Sequence, residues 1–171
     1  ILLGLEKRVM DLSEIVDGGK SDANVEGVVL LEVDGNRNLY WSWNSFEYFN
    51  ILDVTSDIDL TQPNIDFTHS NAVDVDTDGN LLLCCRHLDE ITKINKSTGQ
   101  IIWRWGGSEC KNNEFEFIND TINGFFGFSH QHAIKVLPNG NYLLYDNGNL
   151  TPHQYSRAVE YSMNPSTKRV T

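Results

Sequence analysis

Four of the five histidines in this 171-residue chain lie in or beside two copies of one sequence pattern. Imidazoles at matching positions are therefore the first groups whose chemistry has to be explained. One copy, HSNAVDVDTDGNLLLCCRH, starts at His69, and the other, HQHAIKVLPNGNYLLYDN, starts at His130. His69 aligns with His130, Gly79-Asn80 with Gly140-Asn141, and Leu82-Leu83 with Leu143-Leu144, always at a spacing of 61 residues. His132 has no histidine counterpart, because Asn71 stands in its place. Arg86 closes the second strand of the first copy, with His87 beside it, at the strand end nearest His69.

These residue types allow two chemistries. Neutral imidazoles facing one cavity resemble a zinc or copper site, and the His130-x-His132 pair permits that. Against it, the other copy offers no carboxylate or cysteine at matching spacing, and no metal is expected. A guanidinium beside several imidazoles suits a planar or tetrahedral oxyanion, which Arg grips with two parallel hydrogen bonds. The plain alternative for Arg86 is a surface ion pair with Asp89 or Glu90. A further lure, Asp74-x-Asp76-x-Asp78-Gly79, copies the first half of a calcium loop. Cys85 occupies the twelfth position and the flanks alternate as strands, so it reads as a hairpin turn.

The elements that must position these residues are short strands. SNAVDV, NLLLCC, EITKIN and QIIWRW follow one another with Asp78-Gly79 and Ser97-Thr98-Gly99 as turns, a four-stranded antiparallel meander over 68–107. HAIKVL, NYLLYD and RAVEYS repeat most of it over 129–171. An outer hairpin over 27–43, VVLLEV and LYWSW about Asp34-Gly35-Asn36, ends in Trp41-Ser42-Trp43 as the meander ends in Trp103-Arg104-Trp105. Recurring four-strand units predict an all-β chain of β-propeller blades, about two and a half of them, in one partial domain over 1–171. Missing chain segments or self-association would then complete the ring. A stand-alone β-sandwich is the competing architecture. In a propeller the first strands point to the central channel, so His69 and His130 would face one axis, with His132 projecting to the same side as His130. Residues 1–26 are weakly patterned and read as a strand or loop. Residues 44–68 and 108–129 are long aromatic connections of the kind that carry function.

Composition narrows the partners. A formal charge of −11 and a pI near 4.7 disfavour nucleic acid and anionic membranes. No apolar run approaches the roughly 18 residues of a membrane span. The chain does not begin with Met and reads as processed or as part of something longer. Three cysteines are too few for a disulfide scaffold, though Cys84 or Cys85 could pair with Cys110 in an oxidising compartment.

THSN at 68–71, CCRHLDEITKI at 84–94, WRWGG at 103–107, FSHQHAIKVLPNGNYLLYDNG at 128–148 and SRAVEY at 156–161 resemble successive motifs of the arylsulfate sulfotransferase family. The resemblance implies a six-bladed propeller. It also implies transfer of a sulfuryl group from an aryl sulfate to a phenol through a sulfohistidine, without a nucleotide sulfate donor or other cofactor, and a periplasmic or secreted location. Carried across, the nucleophile matches His132, and the groups supporting the sulfate match His69 and Arg86. His130, from the repeat alignment, joins Asn71 and His87 as expected substrate-binding residues. The family also uses a histidine from an earlier blade, and none precedes His69 here. A propeller that binds a ligand or partner without turnover therefore remains the alternative.

Overall fold

Alternating apolar residues interrupted by turn residues produce strands almost throughout the computed structural model, which describes residues 1–171. Strand β1 (Leu2–Met10) pairs antiparallel along its whole length with β2 (Ala23–Val33), which continues through a tight turn into β3 (Leu39–Asn44). The short β4 (Asn64–Asp66) joins the same sheet by parallel pairing with Asn24–Glu26 of β2. A second sheet is the antiparallel meander of β5 (Ser70–Val75), β6 (Leu81–Cys85), β7 (Glu90–Ile94) and β8 (Ile101–Gly106). Strand β9 (Glu116–Phe117) follows it. Then β10 (His132–Val136), β11 (Tyr142–Asp146) and β12 (Arg157–Tyr161) form a third antiparallel sheet. The chain closes with the hairpin of β13 (Met163–Asn164) and β14 (Arg169–Val170), and β14 pairs in parallel with β9.

The second sheet is the middle layer, and its period-2 alternation shows why. Leu81, Leu83 and Cys85 of β6 enter a core shared with Val25, Val28, Leu30 and Trp43 of the first sheet. Leu82 and Cys84 enter the opposite core, with Trp103, Trp105, Ile134, Tyr142 and Leu144. Successive side chains leave a strand on opposite faces, so a strand apolar at every position needs cover on both sides. Trp105 is fully buried, with Phe117, Phe128, Tyr142 and Tyr161 around it at ring-centroid distances of 5.0–6.1 Å. Trp43 donates its indole N–H to the Gly99 carbonyl (2.9 Å), tying the first sheet to the last hairpin of the second.

Gly106 and Gly107 allow a close approach that no other residue could. A Cβ at Gly107 would lie 1.7 Å from the Phe128 carbonyl oxygen, and one at Gly106 would lie 2.2 Å from that of Asp89. The chain leading into β10 can therefore lie directly against the end of β8.

The aspartates of the 74–79 stretch do form a hairpin turn, with Asp76 N–H donating to the Asn80 carbonyl and Gly79 N–H to that of Asp76, both at 2.8 Å. Lys93 Nζ occupies Asp76 and Asp78 at 2.6 and 2.7 Å, and the Tyr142 hydroxyl also donates to Asp76. All three cysteines are free and buried. Cys110 packs near Glu90 rather than reaching Cys84 or Cys85. Strand β1 goes beyond what the sequence suggested for residues 1–26. Its positions alternate only between exposed and half-buried, with Leu2, Leu5 and Val9 facing outward, so no apolar stripe marks it.

Because the aromatic cluster around Trp105 fills the core between the second and third sheets, Trp105→Ala is expected to destabilise the chain by about 3–5 kcal/mol, the usual cost of an emptied aromatic site. Urea unfolding followed by tryptophan fluorescence measures it.

Candidate active site

Both repeat histidines adopt the left-handed backbone conformation, His69 at φ 41° and His130 at φ 56°. Non-glycine residues hold that region only when surrounding contacts compel them, and such strain concentrates at functional sites. Each first strand also carries a bulge just after its histidine, between Ser70 and Ala72 in β5 and between His132 and Lys135 in β10. Asn71 joins the two: its Nδ2 donates to the Gln131 carbonyl and its Oδ1 accepts from Ala133 N–H, both at 3.1 Å.

The strain separates the two histidines that simple alternation would put on one side. His130 precedes β10 with a left-handed φ, so the extended-strand rule does not reach it. Its ring is fully buried. His130 Nε2 meets Asp57 Oδ2 at 3.1 Å and Nδ1 meets the Ser129 hydroxyl at 3.0 Å, while its backbone N–H donates to Asp89 Oδ1 at 2.5 Å. No ring nitrogen is left for a ligand. His132 instead points into a half-open space, 5.9 Å from the ring of His69.

His69 lies 4.6 Å from His87, ring to ring, and His87 lies 6.5 Å from His130. Three of these imidazoles share one arrangement, each with Nδ1 against an oxygen. His69 Nδ1 is 2.5 Å from Asp66 Oδ2, His87 Nδ1 is 2.6 Å from the Asp66 carbonyl, and His132 Nδ1 is 3.2 Å from the His130 carbonyl. A carbonyl or carboxylate only accepts, so His69 and His87 keep a proton on Nδ1, and their Nε2 atoms have no protein partner. The Asn147 side-chain nitrogen lies 2.5 Å from the His130 carbonyl and 3.1 Å from His132 Nδ1, and it only donates, so the protein does not fix the His132 tautomer.

Arg86 caps the group from a single 3-10 turn, Arg86–Leu88. It is half-buried and makes no ion pair within 4.0 Å. The carboxylates suggested for it are engaged elsewhere, Glu90 with Arg104 at 2.8 Å and Asp89 with the His130 backbone. Burial, with the Arg86 charge adding to it, depresses His130, and burial likewise holds His87 below the ordinary imidazole range, so both rings are neutral at pH 7. The Asp57 carboxyl is held low despite its partial burial, by the Thr55 hydroxyl and by His130.

The long connection supplies residues that the sequence did not single out. Asp57 and Asp66 both come from it, and Thr55 N–H anchors it by donating to the His87 carbonyl at 2.8 Å. Asp89, just after the Arg86–Leu88 turn, was named from the sequence only as a partner for Arg86; it has φ 50° and is fully buried with Oδ2 unpartnered. Only the general rule that long ordered loops carry function pointed to the first two. His153 is exposed in the loop after β11 and stands outside the cluster. Asp66, His69 and His87 also bring donor atoms within 4.8 Å of one another, as a metal site would. Asp66 Oδ2 and His69 Nδ1 already bond to each other, and His87 Nδ1 bonds the Asp66 backbone carbonyl, so a cation held through these atoms would have to break those contacts.

The profile of the family Arylsulfotransferase (ASST) matches residues 8–171. The chain belongs to that family. Membership supports aryl sulfotransferase-type activity in general terms and agrees with the resemblance carried by the histidine motifs. No curated protein matches the chain. No helix of the chain is long and apolar enough to cross a membrane.

Burial pushes the Asp89 carboxyl up to about 7, against the pull of the His130 N–H and the Ser129 hydroxyl and with the Glu109 and Asp57 charges adding to it. A carboxyl raised in the folded state contributes stability in its protonated form, fully present below the unfolded value of roughly 4 and lost as pH rises to about 7. Asp89→Asn keeps the acceptor oxygen but cannot ionise. Its stability relative to the parent is therefore expected to grow from pH 4 to pH 7, by an amount on the order of 1–4 kcal/mol, and then to level off. Urea titrations at stepped pH follow it.

Proposed function

We propose that this chain carries the centre of an aryl sulfate sulfotransferase in which His132 is the nucleophile, three of its four sheets (β1–β4, β5–β8 and β10–β12) being successive blades of a β-propeller. The single observation that most supports this is the set of three imidazoles whose Nε2 atoms have no protein partner, beside an arginine that has no carboxylate partner. Two-faced burial of the middle sheet and the 61-residue repeat support the blade reading.

In the proposed reaction, His132 reacts as the tautomer whose Nδ1 proton is donated to the His130 carbonyl, and its Nε2 lone pair attacks the sulfur of an aryl sulfate. The sulfur–nitrogen bond forms as the sulfur–oxygen bond to the aryl group breaks. His69 enters this step as the imidazolium, with Nδ1–H on Asp66, and gives its Nε2 proton to the departing phenolate oxygen, while Arg86 stabilises the charge on the equatorial sulfate oxygens. The acceptor phenol then returns its proton to His69 as its oxygen attacks the sulfohistidine, restoring His132. No nucleotide sulfate is consumed. His87 flanks the sulfate pocket, while Asn71 and His130 act by holding the backbone on either side of His132.

Purified full-length protein is expected to move sulfate from p-nitrophenyl sulfate to phenol and to release nitrophenol. His132→Ala is expected to lower that rate by more than about a thousandfold, the scale of removing a nucleophile. Mass spectrometry of acid-sensitive phosphohistidine-like adducts, run on the quenched enzyme, should find sulfate on His132. Unchanged turnover in the variant, or a binding protein with no turnover at all, would contradict the assignment.

Removing the guanidinium tests the anion grip separately. Arg86→Ala is expected to cost about 10²–10³ in kcat/KM, and Arg86→Lys to recover only part of it, because an ammonium lacks the two-pronged geometry.

A further inference from the structure

The partner at each Nδ1 sorts the three cavity histidines into different roles. His87 faces a backbone carbonyl and His132 a backbone carbonyl together with the Asn147 amide, whereas His69 faces the carboxylate of Asp66. A carbonyl fixes a tautomer. A carboxylate fixes the same tautomer and in addition favours the ring when it carries a second proton, as in the Asp-His pair of serine hydrolases. Only one of the three rings is therefore built to cycle between neutral and charged forms.

Asp66 reaches further than that pair. Its Oδ1 accepts the backbone N–H of His69 at 3.1 Å, which braces the left-handed conformation there, and its carbonyl accepts from His87 at 2.6 Å. It ends β4, the strand held in parallel against β2, so its own position is fixed from the first sheet. A single residue thus carries three contacts to two histidines from outside the repeat.

We propose that Asp66 is the positioning residue of the proton shuttle: it holds His69 with Nε2 toward the bridging oxygen and supports the imidazolium that protonates the departing phenolate. This rests on the sulfuryl-transfer reading above. The proton lost from His69 Nε2 goes to the phenolate oxygen as the sulfur–oxygen bond breaks, leaving neutral His69 still bonded to Asp66 through Nδ1. The acceptor phenol later restores it.

A positioning residue of this kind has a signature that general loosening of the fold does not share. Nitrophenolate leaves readily without a proton, whereas unsubstituted phenolate needs one. Asp66→Asn is therefore expected to lower kcat/KM for phenyl sulfate by about a hundredfold, the scale of a lost general acid, but that for p-nitrophenyl sulfate by less than about fivefold. His69→Ala should show the same bias, and adding Asp66→Asn to it should cost nothing more. Asp66→Glu, which keeps the charge, should recover part of the phenyl sulfate activity, and thermal unfolding of each variant checks its fold. Equal losses on both substrates, no loss on either, or additive losses in the double variant would overturn the role of Asp66. Failure of the parent protein to transfer sulfate from either ester would overturn the sulfuryl-transfer reading itself, so the two failures are distinguishable.

Discussion

Strand β6 sends Leu81, Leu83 and Cys85 into one core and Leu82 and Cys84 into the other, so no face of it is left for water. A strand of this kind is stable only between two other layers. The first sheet must close on one side of it and the third on the other, and the ends of the strands then meet in one place. His69 precedes β5, Arg86 follows β6 and His132 begins β10. The cavity is the point at which two apolar cores, each formed for its own reasons, bring three chain segments together.

Electrostatics at that point run against the rest of the molecule. The chain carries a formal charge of −11, and three carboxylates approach the histidines. Asp66 and Asp57 approach through ring nitrogens, and Asp89 through the His130 backbone, so none of them takes Arg86. The acids are spent on holding rings in place, and the guanidinium has no carboxylate partner. A half-buried charge without a partner is costly in a resting protein, and in the proposed function a bound sulfate would relieve that cost.

Much of this was legible in the sequence, because the physics behind it is local. The strands from β5 to β8 and from β10 to β12 fall where alternation and Gly-Asn turns placed them, and His132 stood out as the position the repeat does not explain. Strands β4 and β9 are three and two residues long and exist only through parallel pairing with distant chain, so no local pattern could announce them. The fate of His130 was hidden for a related reason. Its side was inferred from strand periodicity, yet its left-handed φ is imposed by Asp89, a residue far away in sequence. Asp57 and Asp66 look like any acid in a polar loop until the fold sets them beside imidazoles.

The bond between the His130 N–H and Asp89 spans 41 residues, and that between the His130 ring and Asp57 spans 73. The strands of each antiparallel meander, by contrast, are neighbours in sequence. Chain entropy lost on closing a loop rises with its length, and contacts distant in sequence are reached last. The histidine cluster is therefore held by contacts of long sequence separation, made between strands that pair locally. A chain with those strands paired but these contacts unmade would lack the arrangement of the rings.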